Sequence, residues 1–266
     1  MNAAKQTVAP NTEAGHASGA RPAGASGEAQ AAAQVREMFG EIAPRYDFLN
    51  HFLSFQMDRL WRKRTVRRFS DVLATPGTRV LDLCCGTGDL AFALSARAGA
   101  SVFGADFSHP MLVRALAKSR RIAAADSRKA PRAFLEADAL SMPFADSSFD
   151  LITFAFGFRN LANYTTGLRE IFRLLRPGGQ IGILECSEPP GAPFKQLYKF
   201  YFRRVLPLVG GSISGNRAAY GYLPDSVGKF PSPGGLIGMM TAAGFSNAKY
   251  ELWTGGTVAL HRATKP

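Results

Sequence analysis

The sequence predicts an α/β, Rossmann-like fold: a mostly parallel, twisted, seven-stranded sheet with helices on both faces, an N-terminal helical cap and a C-terminal antiparallel hairpin. Three observations predict it. Val80-Leu-Asp-Leu-Cys-Cys-Gly-Thr-Gly-Asp89 reads as a short buried strand, a tight turn and the start of a helix. Asp106 closes a second apolar run 18 residues past Gly88, where an acid ending the next strand usually binds ribose hydroxyls. Strand and helix patterns then alternate along the chain, which implies parallel strands with helical crossovers.

Taken in order, residues 1–33 are mostly Ala, Gly, Ser, Thr, Asn and Pro with no apolar period, the composition of a disordered tail. Residues 34–266 are read as one domain. Val35 to Phe69 carries two or three helices within a cap over 34–74, ended by Thr75-Pro-Gly-Thr. Strand one is Arg79 to Leu83, followed by a helix over Leu90 to Ala98; strand two is Ser101 to Ala105. A helix over His109 to Ser119 has Pro110 in its first turn, where a missing N–H costs nothing. Arg132 to Glu136 is a short third strand. Phe149-Asp-Leu-Ile-Thr-Phe-Ala155 is nearly continuous in apolar residues, as a strand covered on both faces should be. A helix over Leu161 to Leu175 closes at Arg176-Pro-Gly-Gly179, and Gln180 to Glu185 is strand five. Residues 189–235, rich in aromatics, glycine and proline, break the alternation and are read as an inserted substrate or lid region. Gly235 to Ala243 is a helix, and Ala248 to Trp253 faces Thr257 to Arg262 across Thr-Gly-Gly as a hairpin. Ligands of such sheets bind at the carboxyl ends of the strands, to which Asp82, Asp106, Asp138 and Phe156 to Asn160 all map.

The glycine turn narrows the ligand. A phosphate-cradling loop wants G-x-G-x-x-G or a Walker lysine, yet here Gly88 is followed by Asp89 and no lysine. An acid beside a pyrophosphate is repelled, whereas beside a sulfonium cation it is tolerated. S-adenosylmethionine, which has that cation and no phosphate, is the ligand these residues favour.

The net charge of +12 and pI near 10.0 suggest an anionic partner. Basic residues gather at Arg59, Arg62, Lys63, Arg64, Arg67 and Arg68, and again at Lys195, Lys199, Arg203 and Arg204, interleaved with Leu60, Trp61, Val66 and Phe69 and with the aromatic stretch Tyr198 to Leu208. Such runs are solvated helix faces or interfacial membrane contacts, with aromatics below the headgroups and Lys/Arg among phosphates. No nucleic-acid-reading motif accompanies the charge, so no nucleic-acid partner is expected. No apolar run reaches the ~18 residues of a spanning helix, and no secretory signal is present, so a cytoplasmic protein, with or without membrane association, is expected. Cys84, Cys85 and Cys186 offer neither metal-ligand spacing nor a disulfide framework, and His16, His51, His109 and His261 are scattered, so no metal site is expected.

The order of these motifs resembles that of the class I methyltransferases. Tyr46-Asp-Phe-Leu-Asn50 with Leu53-Ser54, Asp58 and Trp61, and Arg173 to Ser187, resemble the two signatures of the quinone-biosynthesis C-methyltransferase family, which includes the ubiquinone/menaquinone methyltransferases. Phe156-Gly-Phe-Arg-Asn160 and Gly255 to Arg262 look like this family too, so the resemblance spans roughly residues 35–264. Leu49 stands where the family usually has methionine, Asp58 where it usually has histidine, and Ala155 where a serine often contacts the cofactor. The last removes one hydrogen bond, worth about 1 kcal/mol.

The resemblance implies that Thr87, Asp106, Asp138 and Ala139 line the cofactor site together with Gly86 and Gly88. Asp106 can accept from the ribose diol and Asp138 from the adenine amino group. It also implies methylation of a polyprenylated quinol. An oxidised quinone ring is electrophilic and does not attack; a reduced ring that has lost a phenolic proton does. Arg159 is the candidate for holding that oxyanion, Asn160 for orienting the hydroxyl or a water, and Tyr46, beside Asp47, for completing the pocket. The bland alternative is that Arg159 pairs with an acid and Asn160 caps the helix at Leu161. The leading reaction is demethylmenaquinol to menaquinol, with the benzoquinol precursor of ubiquinone as close alternative. A nucleic-acid methyltransferase lacks its catalytic motif, and a non-catalytic scaffold would not need the intact glycine turn and Asp106. The expected partners are the quinol, an anionic membrane surface and, in a homodimer, a second copy.

Overall fold

The computed structural model describes residues 19–97, 99–205 and 217–266. The expected tail over 1–18, the helix end at Ala98 and the aromatic stretch beyond Val205 lie outside them. The sequence-expected start of order at residue 34 is corrected. Helix α1 spans Glu28–Ile42, and ahead of it Ala20 is buried, its N–H donating to the Leu161 carbonyl at 2.7 Å while Arg21 donates to the Ala162 carbonyl at 2.8 Å. These bonds to two backbone carbonyls hold a segment whose composition offers little to bury.

The cap continues as α2 (Tyr46–Leu53), α3 (Met57–Arg68) and α4 (Ser70–Ala74). The sheet follows: β1 (Arg79–Leu83), α5 (Asp89–Ser95), β2 (Ser101–Asp106), α6 (His109–Ala125), β3 (Ala133–Glu136), β4 (Phe149–Ala155), α7 (Tyr164–Leu174) and β5 (Leu175–Cys186). Helix α8 (Phe194–Phe200) runs into a π-helical turn (Tyr201–Val205), and α9 (Arg217–Lys229) and α10 (Pro233–Ala242) precede β6 (Ser246–Trp253) and β7 (Val258–Thr264). The sheet order is β3-β2-β1-β4-β5-β7-β6, parallel except for β7, which runs antiparallel between β5 and β6. This is the expected mostly parallel seven-stranded sheet.

Two boundaries move. Helix α7 starts at Tyr164 rather than Leu161, because Asn163 is its N-cap, accepting from the Thr166 N–H at 2.9 Å. Strand β5 starts at Leu175 rather than Gln180: Leu175 pairs Phe149, and the register then slips across the Pro-Gly-Gly segment.

Strand β4 is buried on both faces, as its composition requires. On one side Phe149, Ile152 and Phe154 pack with α7 and α10 through Leu168, Ile171, Leu236 and Met240; on the other Leu151 packs with Val66, Phe69, Leu73, Leu90 and Leu94. Phe69, between α3 and α4, lies so close to β5 that a Cβ on Gly182 would sit 2.6 Å from its ring, so this part of the cap docks only on glycine.

Two ionisable groups are buried within this core with opposite linkage. His261 on β7 contacts the Ile183 carbonyl at 3.3 Å through Nδ1, its Nε2 has no partner, and burial lowers it to about 4. Its neutral form is favoured in the fold, so stability present above the unfolded value near 6.5 is lost as pH falls toward 4. Asp82, buried and accepting from Thr153 Oγ1 at 2.8 Å, is raised by burial to about 7 and opposes it, since the fold prefers the carboxyl that forms as pH falls. The difference in unfolding free energy between wild type and His261→Leu is therefore expected to shift by about 2 kcal/mol against wild type between about pH 7.5 and pH 5. Urea melts at the two pH values check this; a constant difference rules out a neutral buried imidazole.

Candidate active site

At the end of β1 the chain turns through Cys84, Gly86 and Gly88, all with positive φ (52°, 55° and 87°). Gly88 is the N-cap of α5, and a Cβ there would lie 2.8 Å from Phe92; one on Gly86 would face only the Tyr46 ring at 3.8 Å. Gly86 thus keeps open the gap between turn and cap. The Gly86 N–H donates to Asp106 Oδ2 and the Ser108 N–H to Oδ1, both at 2.8 Å, fixing a buried carboxylate at the end of β2. Burial raises the Asp106 carboxyl above the usual range, with those N–H groups opposing. Each oxygen keeps a free lone pair. Asp138, past β3, accepts from the Leu140 N–H at 2.9 Å beside buried Ala139.

These groups line a small cavity of about 50 Å³ that Ala32 and Phe39 of α1 close over. An unsaturated buried acid, a second acid past β3 and an apolar floor fit a nucleoside; the volume accommodates one only when α1 yields.

Thr87 is placed differently from its expected role. Its hydroxyl donates to Asp47 Oδ1 at 2.5 Å and accepts from Lys118 Nζ at 3.0 Å. Lys118 also reaches Asp89 at 2.8 Å and Asp47 at 2.7 Å. Arg62 bridges Asp89 Oδ2, at 3.2 Å, to Asp58, which accepts from Ser54 Oγ at 2.8 Å and meets His51 Nδ1 at 2.6 Å. Although burial pushes Asp58 upward, Arg62, Ser54 and His51 together hold its carboxyl below the usual range. The glycine turn, free of lysine in sequence, is therefore served by one from α6, and Asp89 shares its charge with two cations. Among the described residues His51, Asp58 and Asp89 each bring a ligand atom within 4.8 Å of the others, a grouping the scattered histidines did not announce. The Arg62 guanidinium already spans the two carboxylates and supplies the cation there.

Past β4, Phe156 (φ 62°) starts a tight turn through Phe158–Asn160. Arg159 is buried. Its Nη1 donates to Glu185 Oε2 at 2.9 Å and to the Phe156 carbonyl at 2.5 Å, and its N–H to Glu185 Oε1 at 3.1 Å, whereas Nε has no partner. Arg159 thus does pair with an acid, as the bland alternative had it, and lines a chamber beside the glycine turn. Asn160 caps no helix: its Oδ1 accepts from Tyr222 Oη at 3.1 Å and its Nδ2 lies 3.5 Å from the Phe156 carbonyl.

Arg159, Tyr46 and Tyr222 line a chamber of about 540 Å³ bounded by the glycine turn and by Leu53, Phe55, Trp61, Tyr198, Tyr201 and Phe202. Trp61 Nε1 donates to Thr254 Oγ1 at 2.8 Å, tying the cap to the β6–β7 turn. Burial pushes Tyr46 up to about 12, against the hydrogen bond from Asn50. Cys84, Cys85 and Cys186 also face this chamber, their thiols raised by burial, Cys186 to about 12. The structure thus gathers Tyr46, Gly86, Thr87 and Arg159 on one chamber, and Asp106, Asp138, Ala139 and Asn160 on the adjoining small cavity, which shares Tyr46 and Gly86. Glu185, Lys118 and Tyr222 were not singled out by sequence. Only Glu185 had a signal, as the acid ending a buried strand.

A model of the ubiE/COQ5 methyltransferase family matches residues 27–265. The chain is 52% identical over 230 residues, 86% of its length and the whole of the other protein, to a demethylmenaquinone methyltransferase of Thermus thermophilus. It is 43% identical over 235 residues, 87% of the chain and 96% of the relative, to a ubiquinone/menaquinone biosynthesis C-methyltransferase of Geotalea daltonii. Among solved structures, a SAM-dependent methyltransferase of Thermotoga maritima aligns with a TM-score of 0.59 at 19% identity, covering 87% of this chain and all of that one, a likeness of fold.

Proposed function

Because the chain belongs to the ubiE/COQ5 methyltransferase family, we propose that it transfers a methyl group from S-adenosylmethionine to a ring carbon of demethylmenaquinol, giving menaquinol. The observation that carries the site assignment is the buried Arg159 guanidinium, held by Glu185 on the wall of an apolar chamber that adjoins the glycine turn.

Bound cofactor supplies an electrophilic methyl on a sulfonium. Asp106 and Asp138, with the turn from Gly86 to Gly88, bind its nucleoside part, and Ala139 packs beside it. Thr87 holds the turn to Asp47 of the cap and so acts through position. Arg159 stabilises the phenolate form of the quinol, with Glu185 fixing its guanidinium. Asn160 orients the ring hydroxyl, and Tyr46, neutral at working pH, closes the pocket between turn and chamber. Water exclusion and alignment supply most of the acceleration for an in-line displacement.

The reading extends to a bilayer surface. Phe48 and Phe52 on α2, Phe55 just after it, and Leu197 and Phe200 on α8 are large, exposed apolar side chains, Phe55 and Leu197 lining the chamber, and Arg59 and Lys63 are exposed on α3. Phe55 packs on Tyr201 with ring centroids 6.0 Å apart, so the two apolar groups adjoin. No helix among the described residues is long and apolar enough to cross a membrane, so contact with a bilayer would be peripheral.

One assay tests both parts. Reduced demethylmenaquinone in anionic vesicles is expected to be methylated faster than in neutral vesicles, with no product from the oxidised form. Equal turnover of oxidised substrate sinks the phenolate mechanism, and indifference to vesicle charge sinks the surface reading. The reduced benzoquinol run in parallel decides the head group, an alternative supported by the name of the Geotalea relative.

A further inference from the structure

Carbon methylation leaves a proton to dispose of. The phenolic O–H ionises, the ring carbon forms its bond to the methyl, and the S–CH3 bond breaks with its electron pair staying on sulfur. The ring carbon then loses its own hydrogen as a proton, aromaticity returns, and the oxygen is reprotonated. One proton leaves in net, carrying the charge formerly on sulfur. The chamber wall is mostly apolar, so this proton needs a way out.

A second cavity of about 480 Å³ lies behind Arg159, bounded by α1 and α9. Its lining is apolar over most of its area but carries the charged side chains Glu37, Glu41, Asp225, Arg21 and Lys229. At about 30 Å³ per water it has room for a connected chain of waters. Arg159, Met38 and Tyr222 line both this cavity and the chamber. Met38 moves no proton, and Arg159 is held charged by Glu185. Tyr222 alone of the three presents a hydroxyl, which both donates and accepts.

Resting on the methyl-transfer reading above, we propose that Tyr222 is the relay residue that passes the released proton from the chamber to the carboxylates of this outer cavity, its hydroxyl poised by Asn160. In the resting arrangement Oη donates to Asn160 Oδ1 at 3.1 Å. Turned about the Cζ–Oη bond, the same hydroxyl donates outward while its lone pairs accept from the chamber side, so one proton leaves as another arrives. The ionisable groups facing it are Arg159, Glu185 and Tyr164. Glu185 is ion-paired to Arg159, and Tyr164 donates to the Arg159 carbonyl at 2.9 Å, so neither competes for the proton. In the outer cavity Glu37, Glu41 and Asp225 offer carboxylates to receive it, alongside Arg21 and Lys229.

The test is Tyr222→Phe, which keeps the ring and removes one oxygen. Its melting temperature and affinity for S-adenosylhomocysteine are expected to match wild type, showing an intact fold and cofactor site. Turnover on the reduced quinol is expected to fall about 30-fold with KM for the quinol within about twofold, and added imidazole at about 0.1 M is expected to restore a third or more of the lost rate, because a mobile base replaces the hydroxyl. A lost packing contact would not respond to imidazole. Turnover within about threefold of wild type, or a loss that imidazole leaves untouched, overturns the relay. Failure of wild type to methylate any reduced quinol would instead overturn the function on which it rests.

Discussion

Arg159→Lys is expected to lower turnover on reduced quinol about 10²-fold, close to 3 kcal/mol of transition-state stabilisation, while leaving S-adenosylhomocysteine affinity unchanged. Lysine keeps the positive charge beside Glu185 but loses the planar fork of donors that the guanidinium presents. The conservative variant is the informative one. Alanine would leave Glu185, fully buried, as an unpaired carboxylate, and breaking such a pair costs about 3–5 kcal/mol in its own right. Single-turnover rates with excess enzyme, alongside calorimetry of product cofactor, separate the effects. Were Arg159→Lys to turn over within about threefold of an active wild type, the oxyanion role would be wrong.

Asp106→Asn is expected to cost about 10² in cofactor affinity. Two hydrogen bonds to a charged acceptor, at about 1.5 kcal/mol or more each, give about 3 kcal/mol. The neutral amide also turns a donor toward one of the two backbone N–H groups that now bind the carboxylate. The same interaction gives a pH signature: since burial raises the Asp106 carboxyl, the ionised acceptor is lost at higher pH than for an ordinary aspartate, and affinity declines from there as pH falls. Titration calorimetry with S-adenosylhomocysteine measures both. A variant binding within about threefold of wild type removes Asp106 from the ribose site.

The sheet was legible because its signals are local and mutually consistent. Strand β4 is nearly continuous in apolar residues, broken only by Asp150 and Thr153, the glycine turn follows β1 directly, and Asp106 falls at the next strand end. The helix start at Tyr164 was missed because Asn160 and Asn163 are equally good caps in sequence, and only the tight turn at Phe158–Asn160 decides between them. The residues ahead of α1 looked unstructured because Ala20 is held by its N–H on the Leu161 carbonyl and Arg21 by its guanidinium on the Ala162 carbonyl, long-range contacts that composition does not encode. Arg159 and Asn160 could be nominated from their place at a strand end. Their partners could not: Glu185 and Tyr222 are 26 and 62 residues away and meet them only through the fold. Lys118 is similar, an ordinary helix-surface lysine until α6 sets it against Asp47 and Asp89. Asp58 shows the converse. Where the resembling family usually has histidine, this chain has an acid whose buried side chain gathers His51, Ser54 and Arg62, so the departure brings its own partners.

The three sulfhydryl groups on the chamber wall have a consequence for an enzyme acting on half of a redox couple. The oxidised partner of the substrate is a Michael acceptor, and the species that adds to it is the anion of sulfur rather than its conjugate acid. By keeping Cys84, Cys85 and Cys186 in the protonated form, burial leaves them sluggish toward alkylation, and the pocket can meet the oxidised, electrophilic ring without being covalently poisoned by it.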